Sequence, residues 1–104
     1  MKVVVTPRAD EDIAHQHEWG VARFGKKVTD RIYGRVQSFL LHSLAQNPRS
    51  GNRVSPSSDI YETWIPRTPF VLFYRIEPAA DAVRILALFR HSQNWKDFVA
   101  DDED

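Results

Sequence analysis

Two prolines three residues apart constrain this chain more than any other feature. They sit in "WIPRTPFVLFYRI", Trp64 to Ile76. Proline has no backbone N–H to give a sheet, and it biases the residue before it toward extended geometry. Pro66 and Pro69 therefore bracket a turn between two apolar runs. The stretch predicts a β-hairpin over Ile60–Ile65 and Phe70–Ile76, with Arg67 and Thr68 at its tip. In the second strand, Phe70, Leu72, Tyr74 and Ile76 share one face, while Val71, Phe73 and Arg75 share the other. Both faces are largely apolar. One must pack on the rest of the fold, and the other needs a cover or a partner.

The remaining elements follow from similar signals. Lys2 to Val5 is short and β-branched and reads as a strand. Thr6 and Pro7 supply a helix cap and a first-turn proline. Asp10, Glu11 and Asp12 follow where the helix dipole favours acids. Ala9, Ile13 and Ala14 begin an apolar stripe that His17, Val21 and Phe24 extend. Gly20 weakens this helix and Gly25 ends it. A second helix is predicted over Lys26–Ala45. Val28, Ile32, Val36, Phe39, Leu40 and Ser43 recur at three- and four-residue spacing, broadened by Tyr33, Leu41 and Leu44. The short connection at Gly25 makes the pair an antiparallel helical hairpin. The polar stretch from Gln46 to Asp59 reads as a surface loop. After the proline hairpin, Glu77 to Asp81 is a turn. Ala82–Phe89 is a last strand with Val83, Ile85, Ala87 and Phe89 on one face. A short helix is expected around Asn94–Ala100. One strand, two helices and a three-stranded meander give an α+β fold.

Length bounds the answer: 104 residues, 42 % hydrophobic, make one domain with a modest core. We read it as one domain over residues 1–100 and an acidic tail, Asp101 to Asp104. The formal net charge is zero, from 14 basic and 14 acidic residues. The tail holds four of the acids, so the body is mildly cationic, too weakly for a nucleic-acid footprint. Sequence-specific DNA binding by this chain is not expected. No run spans a bilayer, and the N-terminal apolar run is too short for a signal peptide. The chain lacks cysteine, which excludes disulfides and thiolate chemistry. A cytoplasmic protein is expected, with no membrane partner.

Several segments, in this order and spacing, resemble toxins of the RelE/ParE superfamily from bacterial type II toxin–antitoxin modules. "TPRADEDI" (Thr6 to Ile13) is similar to the family's opening helix. "FG" (Phe24, Gly25) sits where that helix gives way to the next. "NPRSG" (Asn47 to Gly51) resembles its Asn-Pro-x-x-Gly turn. "IPRTPFVLFYRI" resembles the hairpin that a ParE-like subgroup writes as Pro-Gly-Thr-Pro-Tyr-Val-Leu-x-Tyr-Arg. "SQNW" (Ser92 to Trp95) resembles the end of its last strand. The resemblance covers nearly the whole chain. It implies a toxin held inactive by a cognate antitoxin that wraps it with a helix and an extended segment, covering the second sheet face.

The superfamily holds two activities. RelE-like members cut mRNA on the ribosome, and ParE-like members inhibit DNA gyrase and leave broken DNA. Cleavage needs an activated ribose hydroxyl and a stabilised phosphate. The RelE-like pattern supplies these with clustered Arg and Lys, often with a C-terminal tyrosine. It places an arginine after the aromatic that opens the third strand, where this chain has Val71. Ser92 and Gln93 stand where further arginines are expected, Ala87 replaces another, and no tyrosine follows Tyr74. Arg90 stands at the place of a usual histidine, unless a one-residue slip aligns His91 there. Tyr61 precedes Glu62 where relatives often carry arginine. The resemblance thus favours a ParE-like gyrase inhibitor without catalytic residues. The alternatives are a ribosome-dependent mRNA endonuclease and an inactive remnant that only binds antitoxin.

The candidate contacts to target or antitoxin are Arg67, Phe73, Arg75, Arg90, His91, Gln93 and Trp95. Each has a plainer reading. Arg75 equally forms a surface ion pair, worth roughly 0–1 kcal/mol. Arg67 is a solvated tip residue unless the hairpin meets gyrase. Trp95 is an interface anchor or a cap on the core. Trp19 and Trp64 read as packing residues. His15 and His17 point to different helix faces and His42 stands alone, so no metal site is expected. Neither a nucleophile elbow nor a phosphate loop occurs, and no cofactor is indicated.

Overall fold

The computed structural model describes residues 1–93. The chain runs as strand β1 (Lys2–Val5), helix α1 (Pro7–Phe24), helix α2 (Lys26–Ser38) and a π-helical segment (Phe39–Leu44). Then come a 3-10 turn (Pro48–Ser50), strands β2 (Asn52–Arg53), β3 (Ile60–Trp64) and β4 (Phe70–Glu77), a second 3-10 turn (Pro78–Ala80) and strand β5 (Ala82–Arg90). The five strands form one sheet in the order β1-β5-β4-β3-β2. β1 lies parallel to β5, and the other pairings are antiparallel. The α+β reading holds. The helix expected around Asn94–Ala100 lies outside the described residues.

Local signals act as the sequence predicts. The Thr6 hydroxyl accepts from the Ala9 N–H at 3.2 Å and donates to the Ile85 carbonyl at 2.7 Å, so one residue caps α1 and ties it to β5. Gly25 takes φ 85°, a region that favours glycine, and separates the two helices. Gly20 does not break α1. A Cβ there would lie 2.9 Å from Thr29 Cγ2, so its absence lets the helices approach closely. The buried face of α1 is Ala9, Gln16 and Gly20, with Ile13 packed beside them. Phe24 is exposed, as are Ala14, Val28, Leu41 and Ser43, contrary to the stripes read from sequence. Neighbouring helix and hairpin, not apolar content alone, choose which phase is covered.

The Asn-Pro-x-x-Gly turn has a physical reason. The Tyr74 hydroxyl donates to the Pro48 carbonyl at 2.7 Å and accepts from the Gly51 N–H at 3.2 Å. A Cβ on Gly51 would collide with that hydroxyl and come within 2.8 Å of the Glu62 carbonyl. Burial pushes the Tyr74 phenol up to about 12, so it stays a donor. The turn thereby leads into β2, a short strand inside what the sequence presents as loop.

The sheet has two apolar faces, as predicted. On the helix side, Tyr61, Phe70, Leu72, Tyr74, Val83, Ile85 and Leu88 pack with Ala9, Val36, Leu40 and Leu44. On the other side, Ile60, Val71, Phe73 and Ala87 are fully buried, with Val54, Leu86 and Phe89 packed against them. The face that the sequence leaves in need of a cover is buried within the chain. The predicted face of β5 is also corrected. Phe73 pairs with Ala87 and Tyr74 with Ile85, so Leu86 is an extra residue. Such a bulge shifts the alternation by one. Val83 and Ile85 face the helices, whereas Ala87 and Phe89 face away.

Candidate interaction surface

β1 covers the outer edge of β5 only from Ala82 to Ile85. Beyond that point, side chains of α1 take the place of a strand. The Leu88 N–H donates to Asp12 Oδ2 at 3.1 Å, and the Leu88 carbonyl accepts from Gln16 Nε2 at 3.5 Å. The Arg90 N–H donates to Gln93 Oε1 at 2.8 Å, and Gln16 Nε2 donates to the same oxygen at 2.8 Å. Gln16 Oε1 accepts from Arg90 Nη1 at 2.6 Å. These bonds satisfy backbone groups that an uncovered edge would leave bare.

They also fix the Arg90 guanidinium, which lies 4.2 Å from the centre of the Trp19 ring. Arg23 lies 5.9 Å from the same ring, and Trp19 meets Phe24 edge-on. Burial, and then the charge of Arg23, lower the Arg90 pKa from its ordinary value. Its partners among the described residues are a neutral amide and an aromatic face.

His91 follows. Its N–H donates to the Pro69 carbonyl at 3.1 Å, which ties the end of β5 to the hairpin turn. Its ring meets Trp64 edge-on at 3.8 Å between centroids. Trp64 is 47 % exposed, so it is a surface platform and not the packing residue its sequence suggests. The structure thus gathers Arg90 and Gln93 with Gln16 and Trp19, and His91 with Trp64.

The other candidates lie elsewhere. Arg67, at φ 60°, occupies the hairpin tip, and its carbonyl accepts from Arg35 Nη1 at 2.9 Å. Phe73 is fully buried in the second cluster. Arg75, at the far end of β4, donates to Asp59 at 3.1 Å. Arg84 beside it holds Glu77 with both carboxylate oxygens, at 2.6 and 3.2 Å. Trp95 lies outside the described residues. Sequence reasoning missed Gln16 and Trp64. A polar residue seven after Ala9, in phase with the buried face, signals Gln16. Period-two alternation puts Trp64 on the side away from the helices.

Among the described residues, no group of His, Asp and Glu could hold a metal ion. No described helix is long and apolar enough to cross a membrane.

Known proteins share this fold. The chain is similar in structure to the chromosomal ParDE toxin–antitoxin system of P. aeruginosa, with TM-score 0.62 and 19 % identity over 86 % of this chain and 95 % of that one. It is similar to the RelBE2 toxin–antitoxin complex from Mycobacterium tuberculosis, with TM-score 0.65 and 22 % identity over 88 % and 92 %. It also matches the isolated E. coli RelE toxin, with TM-score 0.53 and 13 % identity over 98 % and 96 %. No curated protein sequence matches it. The family model of the ParE toxin of type II toxin–antitoxin systems, parDE, matches residues 3–95. The chain therefore belongs to the ParE toxin family, within the RelE/ParE superfamily of type II toxin–antitoxin toxins.

Proposed function

We propose that this toxin is neutralised by a cognate antitoxin and, when released, inhibits DNA gyrase by binding it. The observation that carries this reading is the distribution of charge over the sheet face away from the helices. Val71, at the place where a cleaving relative carries arginine, is fully buried. Arg75 and Arg84 on that face are held by Asp59 and Glu77. Glu62 pairs across from Phe73, and burial raises its carboxyl above its ordinary value. A phosphate in transfer needs cations aimed at it, and this face offers paired ones beside a desolvated acid. Aromatic and cationic groups gather instead around Trp64, His91, Trp19 and Arg90, where a protein target would find anchors.

The test is a gyrase supercoiling assay with trapped DNA cleavage as the readout. Inhibition with accumulated breaks, reversed by the antitoxin, is expected. The variants Trp64→Ala and Arg90→Ala should lose it. An unaffected gyrase at excess toxin would remove the reading, and absence of growth arrest on induction would leave an antitoxin-binding remnant.

Tyr61 favours a second reading, ribosome-dependent mRNA cleavage. Arg53 chiefly, with Arg49 beside it, lowers the Tyr61 pKa below its ordinary value. A phenol so placed is a candidate general base. Cleavage of ribosome-bound mRNA, lost in Tyr61→Phe, would establish it.

A further inference from the structure

A second surface lies apart from the one just described. A groove of about 330 Å³ runs between α2, the π-helical segment and the hairpin tip, lined by Arg31, Arg35, Phe39, Ser43, Pro66 and Arg67 among others. Arg31 and Arg35 are one helical turn apart and so project on the same side of α2. Arg67 approaches from the opposite wall. The bond from Arg35 Nη1 to the Arg67 carbonyl, 2.9 Å, ties helix to hairpin and fixes the distance between the walls.

Two features make this more than a basic patch. Among the described residues no carboxylate pairs with Arg31, Arg35 or Arg67, although Arg8, Lys26, Arg75 and Arg84 all have acidic partners. The floor is also open. A Cβ on Gly34 would meet open space, with nothing beyond its own stretch of helix within 4 Å. The π-helical turn, seen in the bond from the Ala45 N–H to the Leu40 carbonyl at 3.2 Å, brings Phe39 and Ser43 to the groove. Such turns occur often at functional sites.

We propose that this groove docks an acidic peptide segment of a partner protein, one that carries an apolar side chain between its carboxylates. The guanidiniums would take carboxylates through paired N–H donors. Phe39 and Pro66 would take the apolar side chain, and the Ser43 hydroxyl would take peptide backbone. A nucleic-acid backbone fits less well. It is recognised by extended cationic tracks, whereas this chain has zero formal net charge and these arginines surround one short groove with apolar walls.

The test is a fluorescence-anisotropy titration of the purified toxin with a labelled peptide of about ten residues, alternating aspartate or glutamate with leucine. Saturable binding that weakens with salt is expected, with none for the lysine counterpart of the peptide. Arg31→Glu, which breaks no hydrogen bond or ion pair among the described residues, should weaken binding about tenfold or more. Arg31→Lys should recover only part of the loss, because lysine cannot form the paired bonds. Circular dichroism of each variant verifies the fold. Absence of binding, or binding unchanged in Arg31→Glu, would overturn the proposal. So would tighter binding of a single-stranded oligonucleotide that competes with the peptide. Gyrase inhibition is read separately, so either proposal fails without the other.

Discussion

Arg84 and Arg90 lie on one strand, β5, and live in opposite electrostatic circumstances. Arg84 grips Glu77 through two bonds, and that carboxylate raises its pKa. Arg90 rests on the neutral Gln16 amide and the Trp19 ring beside a second arginine, and its pKa is lowered. The Arg84 end spends its charge inside the chain. The Arg90 end holds its charge in a fixed, partly desolvated place, with no carboxylate partner among the described residues. A surface built to meet another molecule needs the second arrangement, and a surface that merely closes the fold is served by the first.

Four substitutions break or sharpen this contrast. Phe73→Ala should act most strongly, because it empties the cluster under the sheet between the two ends. A loss of about 3–5 kcal/mol is expected by urea denaturation. Gln16→Leu comes next. It leaves the Leu88 carbonyl and the Arg90 guanidinium without their bonds, for a loss of about 1–3 kcal/mol. Gyrase inhibition should fall with it, since Arg90 loses its anchor. Arg90→Ala should separate stability from function. The lost ring contact and the lost bond to the buried Gln16 Oε1 are only partly offset by the relieved repulsion from Arg23, so stability falls by about 1–2 kcal/mol. Inhibition should drop about tenfold or more. Arg84→Ala should change least. Glu77 has a folded pKa lowered from its ordinary 4.5, chiefly by the Arg84 bond. Its contribution is therefore present above that ordinary value and fades as pH falls through the lowered one. Arg84→Ala should remove this acid-limb dependence in a pH series of thermal melts, with inhibition unchanged. Equal loss of inhibition in Arg84→Ala and Arg90→Ala would collapse the contrast.

The candidate surface was less legible than the fold, and particular residues show why. Arg90 and His91 could be marked from sequence because an arginine and a histidine close the last strand. Their setting could not. Gln16 is 74 positions from Arg90, and no window of sequence joins them. Trp64 reads as core by composition and proves exposed, at the end of β3 on the sheet face away from the helices. Phe73 reads as a contact and proves enclosed, because Val54 beyond β2 and Leu86 and Phe89 of β5 pack around it.

The sequence by itself determined every element whose cause is local. Thr6 and Pro7 start α1, Gly25 parts the helices, and Pro66 and Pro69 bracket the hairpin turn. Each acts through its own backbone torsions or through bonds to residues a few positions away, so the information lies within a short window. Tertiary structure alone decided the parallel seat of β1 on β5, the extra residue at Leu86, the lock of Tyr74 on Gly51, and the pairing or sparing of each arginine. Those outcomes depend on which distant surfaces meet. A single bulge reverses the faces beyond it, and a single carboxylate within reach decides whether a cation is neutralised or left for a partner.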